Sequence, residues 1–126
     1  MKKISLILVI LSVVLNAAAQ TETKNHLINA TYHQWKWNDE ECFTKWSVTF
    51  ENKTKQTITS VTFRLVIEEE ETGTVRYKKT HTVNIALNQY ETAPSPYFNL
   101  SQELCGLKNI ETLEGYYYYT EVLSYK

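Results

Sequence analysis

The chain has 126 residues, 43% of them hydrophobic, and its 13 Lys and Arg against 14 Asp and Glu give a formal charge of −1. This length favours one domain, whose core is small enough that a covalent cross-link would stabilise it appreciably. The mildly acidic balance argues against nucleic acid as a partner, because binding to phosphates requires a basic surface.

The first residues have the pattern of a secretory signal peptide. Lys2 and Lys3 precede an apolar run over residues 4–15, and small residues follow it. This run is shorter than the roughly 20 residues that a membrane-spanning helix needs. We therefore expect residues 1–19 to be cleaved off and residues 20–26 to form a disordered leader. The mature protein is then secreted or periplasmic, with no membrane insertion after cleavage.

The remaining sequence, residues 27–126, predicts β-strands and no long helix. Residues 27–37 have strand-like composition with apolar side chains at both parities, which predicts a strand covered on both faces. Apolar and polar residues then alternate through residues 46–87 with the two-residue period of half-buried strands. A polar turn at residues 52–57 and an acidic turn at residues 68–74 divide this stretch into three strands.

The third of these strands, predicted over residues 75–87, has an interrupted apolar face. Lys79 and His81 stand at positions that the alternation assigns to apolar side chains. We therefore expect a bulge or a sheet edge near residues 79–81.

The last third of the chain predicts two further strands between irregular segments. Residues 88–96 contain both prolines of the chain, which cannot donate ladder hydrogen bonds, and so predict a connector. Residues 97–100 predict a short strand, residues 101–114 predict irregular structure, and residues 116–125 predict the last strand. A total of about seven strands joined by short turns predicts an all-β, immunoglobulin-like antiparallel β-sandwich over residues 27–126.

Residues 46–100 contain an ordered set of short motifs. These motifs are Val48-x-Phe50-x-Asn52-x-Thr54, Ile58-x-x-Val61-x-Phe63-Arg64-Leu65, Gly73, and Leu87 with Glu91-Thr92 beyond it. Their order resembles FxLYD-type and related immunoglobulin-like modules of bacterial exported proteins. Phe63-Arg64-Leu65 matches the first half of the name motif, and Val66-Ile67 stands in place of its Tyr-Asp. The resemblance implies a non-catalytic accessory or interaction domain, and it transfers no catalytic residue.

Cys42 and Cys105 are the only cysteines of the chain. An oxidising compartment favours a disulfide between them, which would stabilise the fold by about 4 kcal/mol on the chain-entropy model. The alternative is two free buried thiols. Neither cysteine has a CxxC neighbour or a histidine at ligand spacing, so we expect neither a metal site nor a cofactor.

Four successive tyrosines, Tyr116–Tyr119, begin the last predicted strand. Alternation allows only two of the four rings on each face. The outward rings either pack on neighbouring strands and lysine stems, or form an aromatic platform with Trp35 or Trp37 that stacks a sugar ring or receives a protein. We expect Trp46, with one of the other two tryptophans, to be in the core. The candidate binding residues are therefore Tyr116, Tyr117, Tyr118, Tyr119, Trp35 and Trp37.

The acidic run Glu68–Glu71 is the other candidate site. Calcium binds several oxygens, but successive carboxylates on an extended chain point alternately to opposite sides. We therefore expect a charged hairpin tip, with Glu69 facing Arg76 and Glu68 facing Tyr77 across the hairpin.

No motif of a nucleophile, a metalloprotease or a phosphate-binding loop occurs, and the three histidines are dispersed. We therefore expect no enzymatic activity. The leading interpretation is an exported β-sandwich module that binds an envelope or extracellular protein by its surface. The alternative is a carbohydrate-binding module that presents its aromatic strand to a polysaccharide, and a third interpretation is an inhibitor of a hydrolase.

Overall fold

Two antiparallel sheets of three strands each make up the fold. The computed structural model describes residues 27–126, so the predicted signal peptide and leader lie outside the described residues. The described strands are β1 (Ile28–Asn38), β2 (Cys42–Asn52), β3 (Ile58–Glu69), β4 (Val75–Leu87), β5 (Thr92–Pro94) and β6 (Tyr116–Tyr125), with one 3-10 turn at Gln102–Leu104. One sheet has the order β1-β2-β5 and the other the order β4-β3-β6.

The prediction of an all-β antiparallel sandwich is confirmed, with six strands in the described part of the chain. The segment predicted as a strand at residues 97–100 contributes only an isolated bridge between Phe98 and Trp46. Conversely, β5 lies within the predicted connector. It is a short strand at a sheet edge, where Pro94 can be accommodated without loss of a ladder hydrogen bond.

The core lies between the two sheets and is built mainly from β2 and β3. Trp46, Val48 and Phe50 alternate along β2, and the apolar positions of β3 from Val61 to Ile67 face them. Trp46 is fully buried, which confirms its predicted place in the core. Burial of these side chains away from water is the main stabilising contribution to such a fold.

The two described histidines lie at opposite open sides of the sandwich. His33 of β1 lies within 2.8 Å of the Thr120 hydroxyl of β6, from Nε2 to Oγ1. On the other side, His81 of β4 lies within 2.8 Å of the Tyr77 hydroxyl, and its ring centroid is 4.6 Å from that of Phe98. His33 therefore connects β1 to β6, and His81 connects β4 to the segment that contains Phe98, in each case where the edges of the two sheets meet.

The predicted irregularity near residues 79–81 is an edge position and not a bulge. β4 is the outer strand of its sheet, and its pairing with β3 continues without a shift through Leu65 with Lys79 and Phe63 with His81. The His81 ring packs against its pairing partner Phe63, with centroids 5.8 Å apart. The Lys79 ammonium reaches outward to Glu103, at 3.5 Å.

The segment before β6, predicted to be irregular, is a chain of consecutive tight turns. The apolar residues recur at every third position, as Leu104, Leu107, Ile110, Leu113 and Tyr116, and each of the last four donates its backbone N–H to the carbonyl of the one before it. Gly106, Asn109 and Gly115 precede three of these positions and have positive φ, as a type II turn requires. We call residues 104–116 the turn ladder.

The disulfide between Cys42 and Cys105 fixes the turn ladder to the start of β2. Cys42 and Cys105 are bonded, with their Cα atoms 5.6 Å apart, which confirms the predicted disulfide. Cys42 is fully buried, and Leu104, beside Cys105, is also fully buried. The bond therefore holds the ladder across the end of the sandwich where the β1–β2 and β3–β4 hairpins turn.

We predict that loss of the disulfide destabilises the fold strongly. Reduction of the wild-type protein, or the double variant C42A/C105A, should lower the free energy of unfolding by about 2 to 4 kcal/mol, because the unfolded chain gains the freedom of a long loop. Urea unfolding with and without reductant measures this loss. An unchanged midpoint in the reduced protein would contradict the proposed role of the bond.

We also predict that His33 makes stability depend on pH. Burial lowers the pKa of His33 from 6.5 to about 4 in the folded protein. Between these values the unfolded chain binds a proton at His33 and the folded protein does not. The contribution of His33 to stability is therefore fully present above pH 6.5 and is lost as the pH falls toward 4.

The expected contribution is up to about 1.4 kcal/mol per pH unit within that window. His33→Gln, which keeps a polar side chain near Thr120, should show a shallower decrease than the wild type in urea unfolding at a series of pH values. All other side chains are the same in both proteins, so their effects cancel in the comparison. Equal slopes would contradict the assignment to His33.

Candidate functional site

The pairing of β6 with β3 decides where each of the four tyrosines points. Tyr118 is paired with Ile67, and the flanking Tyr117 and Tyr119 are paired with Glu68 and Val66. Ile67 is fully buried between the sheets. Since paired residues of adjacent strands lie on the same face, Tyr118 points inward and its two neighbours point outward.

Of the two inward tyrosines, Tyr116 belongs to the core, and Tyr118 packs at its margin with 36% of its surface exposed. Tyr116 is buried, and its hydroxyl donates to the carbonyl of Lys108 in the turn ladder at 2.8 Å. The Tyr118 ring lies edge-on to His33 and to Trp35, with centroids 5.3 Å apart in both cases. Tyr118 therefore fills the open side of the sandwich between β1 and β6, while its outer edge reaches solvent.

Trp35 and Trp37 are half-buried and pack against the core. Trp35 stacks on Trp46 with centroids 5.1 Å apart, and its Nε1 donates to the carbonyl of Glu111 at 3.3 Å. Trp37 contacts Phe43 edge-on, with centroids 5.0 Å apart. Most of the surface of both indoles is therefore used within the protein.

The two outward tyrosines form an exposed pair on the outer face of sheet β4-β3-β6. Tyr117 is 57% exposed and Tyr119 is 41% exposed. Val66 on the same face is only 2% exposed, although it points away from the core. Its paired neighbours are Tyr119 and Lys78, so the tyrosine ring and the lysine stem shield it. We call Tyr117 and Tyr119 the outer tyrosine pair.

Charged groups surround the outer tyrosine pair. Arg64 pairs with Glu121 at 3.1 Å, and Glu68 lies opposite Tyr117. Burial, together with Glu68 and Glu121 and against the opposing effect of Arg64, raises the pKa of Tyr119 to about 12. The phenol is therefore neutral at physiological pH and retains its hydroxyl as a hydrogen-bond donor.

A groove of about 730 Å³ adjoins Tyr117 at the end of the same sheet, between the β3–β4 hairpin and the turn ladder. Its lining carries both charges: Glu70, Glu71 and Glu114 lie in it together with Arg76 and Lys108. None of these three carboxylates has an ion pair within residues 27–126. In contrast, Glu69 pairs with Arg76, which confirms the contact predicted for the hairpin tip.

The predicted neighbour of Glu68 was wrong. Glu68 lies opposite Val75 and not opposite Tyr77, because the β3–β4 pairing shifts between Ile67 and Glu68. Across residues 27–126, no group of three or more His, Cys, Asp or Glu side chains is arranged to hold a metal ion.

The six residues predicted from the sequence therefore lie on two surfaces. Trp35 and Tyr118 are in contact at the open side of the sandwich, with Tyr116 and Trp37 buried or half-buried along the same interior. Tyr117 and Tyr119 lie on the opposite face of β6 and do not meet the tryptophans. Whether any of the six binds a ligand stays a prediction.

Sequence reasoning missed the turn ladder and the burial of Val66. The ladder has a visible signal, since its apolar residues recur with period three instead of two or 3.6. Val66 stands in the unbroken apolar run Leu65–Ile67, which departs from strict alternation. Such a departure indicates that something covers the outer face of a strand.

A second exposed aromatic area lies on the other sheet. Tyr32 is 58% exposed and Tyr97 is 43% exposed. The Tyr97 hydroxyl donates to Gln34 Oε1 at 3.1 Å, and the Lys36 ammonium lies 5.3 Å from the centre of the Tyr97 ring. Internal contacts thus occupy part of this area, which provides matched control positions for the outer tyrosine pair.

Comparison with models of known families, with curated proteins and with solved structures finds no match for this chain. Within the described residues, no helix is long and apolar enough to span a membrane.

We predict that two neighbouring tyrosines contribute very differently to stability. Tyr116→Ala should cost about 3 kcal/mol, because it leaves a cavity and removes the bond to the Lys108 carbonyl. Tyr117→Ala should change stability by less than about 1 kcal/mol, as is usual for exposed positions. Urea unfolding of both variants measures the difference. A larger loss for Tyr117→Ala than for Tyr116→Ala would contradict the β3–β6 register.

Proposed function

We propose that this protein is an exported, non-enzymatic β-sandwich module that binds a protein partner through the outer tyrosine pair. The observation that supports this most strongly is that two large aromatic side chains, Tyr117 and Tyr119, remain exposed side by side on one face of a regular strand. Exposed aromatic residues are enriched in protein interfaces, where they provide a large contact area at a low cost in side-chain entropy.

The surroundings of the pair favour a protein over a polysaccharide. Arg64 and Glu121 adjoin the tyrosines as an ion pair, and Glu68 lies opposite Tyr117. Such a mixture of aromatic and charged groups is typical of the rim and centre of a protein interface. Trp35 and Trp37 pack against the core, so they do not enlarge this surface into the extended platform that the carbohydrate interpretation needs.

Two observations support the exported and non-enzymatic parts of the proposal. A disulfide between Cys42 and Cys105 is typical of an oxidising compartment. The described histidines, His33 and His81, each bond a hydroxyl within the sandwich.

The proposal predicts that one partner depends on the outer tyrosine pair for binding. Immobilised wild-type protein, the variant Y117A/Y119A and the control variant Y32A/Y97A are exposed to envelope and secreted proteins of the source organism. Retained proteins are then quantified by mass spectrometry. We expect at least one protein that the wild type and the control retain and that Y117A/Y119A loses, because only that variant removes the proposed contact area.

A matching experiment with a polysaccharide panel tests the alternative. Retarded migration of the wild type, but not of Y117A/Y119A, in gels that contain a polysaccharide would favour the carbohydrate-binding module. Equal protein retention by wild type and Y117A/Y119A would contradict the proposed function.

A further inference from the structure

The outer tyrosine pair has a spacing that fits one planar group. Tyr117 and Tyr119 are alternate residues of β6, and alternate residues of a strand lie about 6.7 Å apart on one face of the sheet. Side chains stand close to perpendicular to a sheet, so the space between the two rings is twice the roughly 3.5 Å at which carbon atoms pack. A single planar group can therefore contact both rings.

No group of the described chain occupies the faces of these two rings. Across residues 27–126, neither ring of the outer tyrosine pair contacts another aromatic ring or has a Lys or Arg over its face. In contrast, the Lys36 ammonium lies 5.3 Å from the centre of the Tyr97 ring, and the Lys79 ammonium lies 5.7 Å from that of Tyr77. Two other tyrosines thus hold cations of the protein itself, while the faces of the outer pair stay available to a cation from outside.

A carboxylate without an ion pair lies beside the two rings. Glu68 is paired with Tyr117 across β3 and β6. Burial and the Glu68 carboxylate both raise the pKa of Tyr119, so this negative charge is also close to the second ring. On the same face, Glu121 is paired with Arg64, whereas Glu68 forms no ion pair within residues 27–126. A cation placed between the rings would therefore meet an opposite charge.

The wider balance of charge around the pair also favours a cation. Once the ion pairs of Arg64 and Arg76 are set aside, the described carboxylates on this face and in the adjoining groove outnumber the lysines. The carboxylates are Glu68, Glu70, Glu71 and Glu114, and the lysines are Lys78 and Lys108. Complementary charge of this kind favours a basic group on the partner.

We propose that the partner presents an arginine side chain whose guanidinium inserts between Tyr117 and Tyr119 and pairs with the Glu68 carboxylate. This inference rests on the proposed function and names the partner group that the outer tyrosine pair receives. A guanidinium is planar, so it can stack on aromatic rings and bond a carboxylate with its edge at the same time, which the compact ammonium of lysine cannot. Arginine is also enriched among the residues that dominate binding at protein interfaces.

The test is an NMR titration of the isotope-labelled protein with three short peptides. The peptides are identical except for a central arginine, lysine or citrulline, and citrulline is planar like arginine but carries no charge. We expect the arginine peptide to shift the backbone amide signals of Glu68, Tyr117 and Tyr119 in a saturable way. The lysine and citrulline peptides should bind several-fold more weakly, because one lacks the planar group and the other lacks the charge.

Two variants of the protein separate this site from the rest of the surface. Glu68→Gln keeps the size of the side chain and removes its charge, so it should weaken binding of the arginine peptide several-fold and reduce the preference for arginine over citrulline. Glu41→Gln makes the same change in the exposed β1–β2 turn and should leave binding unchanged. Neither side chain is buried, so both variants should unfold at the same urea concentration as the wild type.

Equal binding of the three peptides by the wild type would overturn this inference. So would the absence of shifts up to the solubility limit of the arginine peptide, shifts confined to residues outside β3 and β6, or equal affinity of the wild type and Glu68→Gln. The proposed function fails separately, because it requires a protein that the wild type retains and Y117A/Y119A loses. If Glu68→Gln retains that protein as the wild type does, the proposed function survives and only the arginine contact fails.

Discussion

The register of β6 against β3 is the constraint on which the candidate site depends. A slip by one residue would exchange the two faces of the strand and turn Tyr117 and Tyr119 into the core. Contacts at both ends of β6 hold the register. At its start, the Tyr116 hydroxyl bonds the Lys108 carbonyl at 2.8 Å, and at its end, Lys126 donates its backbone N–H to Ser60 at 3.0 Å.

The turn ladder connects this register to the rest of the sandwich. Its apolar residues close one end of the core, and the Cys42–Cys105 disulfide holds its first turn against β2. β6 begins at Tyr116, directly after Gly115 in the last turn of the ladder. The disulfide from Cys42 of β2 to Cys105 of the turn ladder therefore helps to position the exposed side chains of β6. At the open side between the sheets, Tyr118 packs against His33 and Trp35. Contacts with the interior therefore fix the inner face of β6, while its outer face is exposed.

Much of the scaffold could be predicted from the sequence, because its strands follow the two-residue period closely. The bounds of the last strand, the core position of Trp46, the disulfide and the Glu69–Arg76 pair all follow from alternation, composition and turn chemistry. The face on which each tyrosine lies could not be predicted, since alternation separates the four rings into pairs without saying which pair is inside. That choice depends on long-range pairing with Ile67 and its neighbours. The ladder was missed because its period of three belongs to neither of the regular patterns.

The central claim is that the outer face of β6 receives a partner. Its most direct test is a photo-reactive amino acid placed singly at position 117, 118, 32 or 97 of the full protein, followed by irradiation in the presence of the envelope and secreted proteins of the source organism. We predict one specific cross-linked protein from position 117 and none in common from positions 32 and 97. Position 118 should cross-link mainly within the chain, because that ring lies against His33 and Trp35. A partner that cross-links from position 32 or 97 and not from position 117 would place the binding surface on the other sheet and contradict the claim.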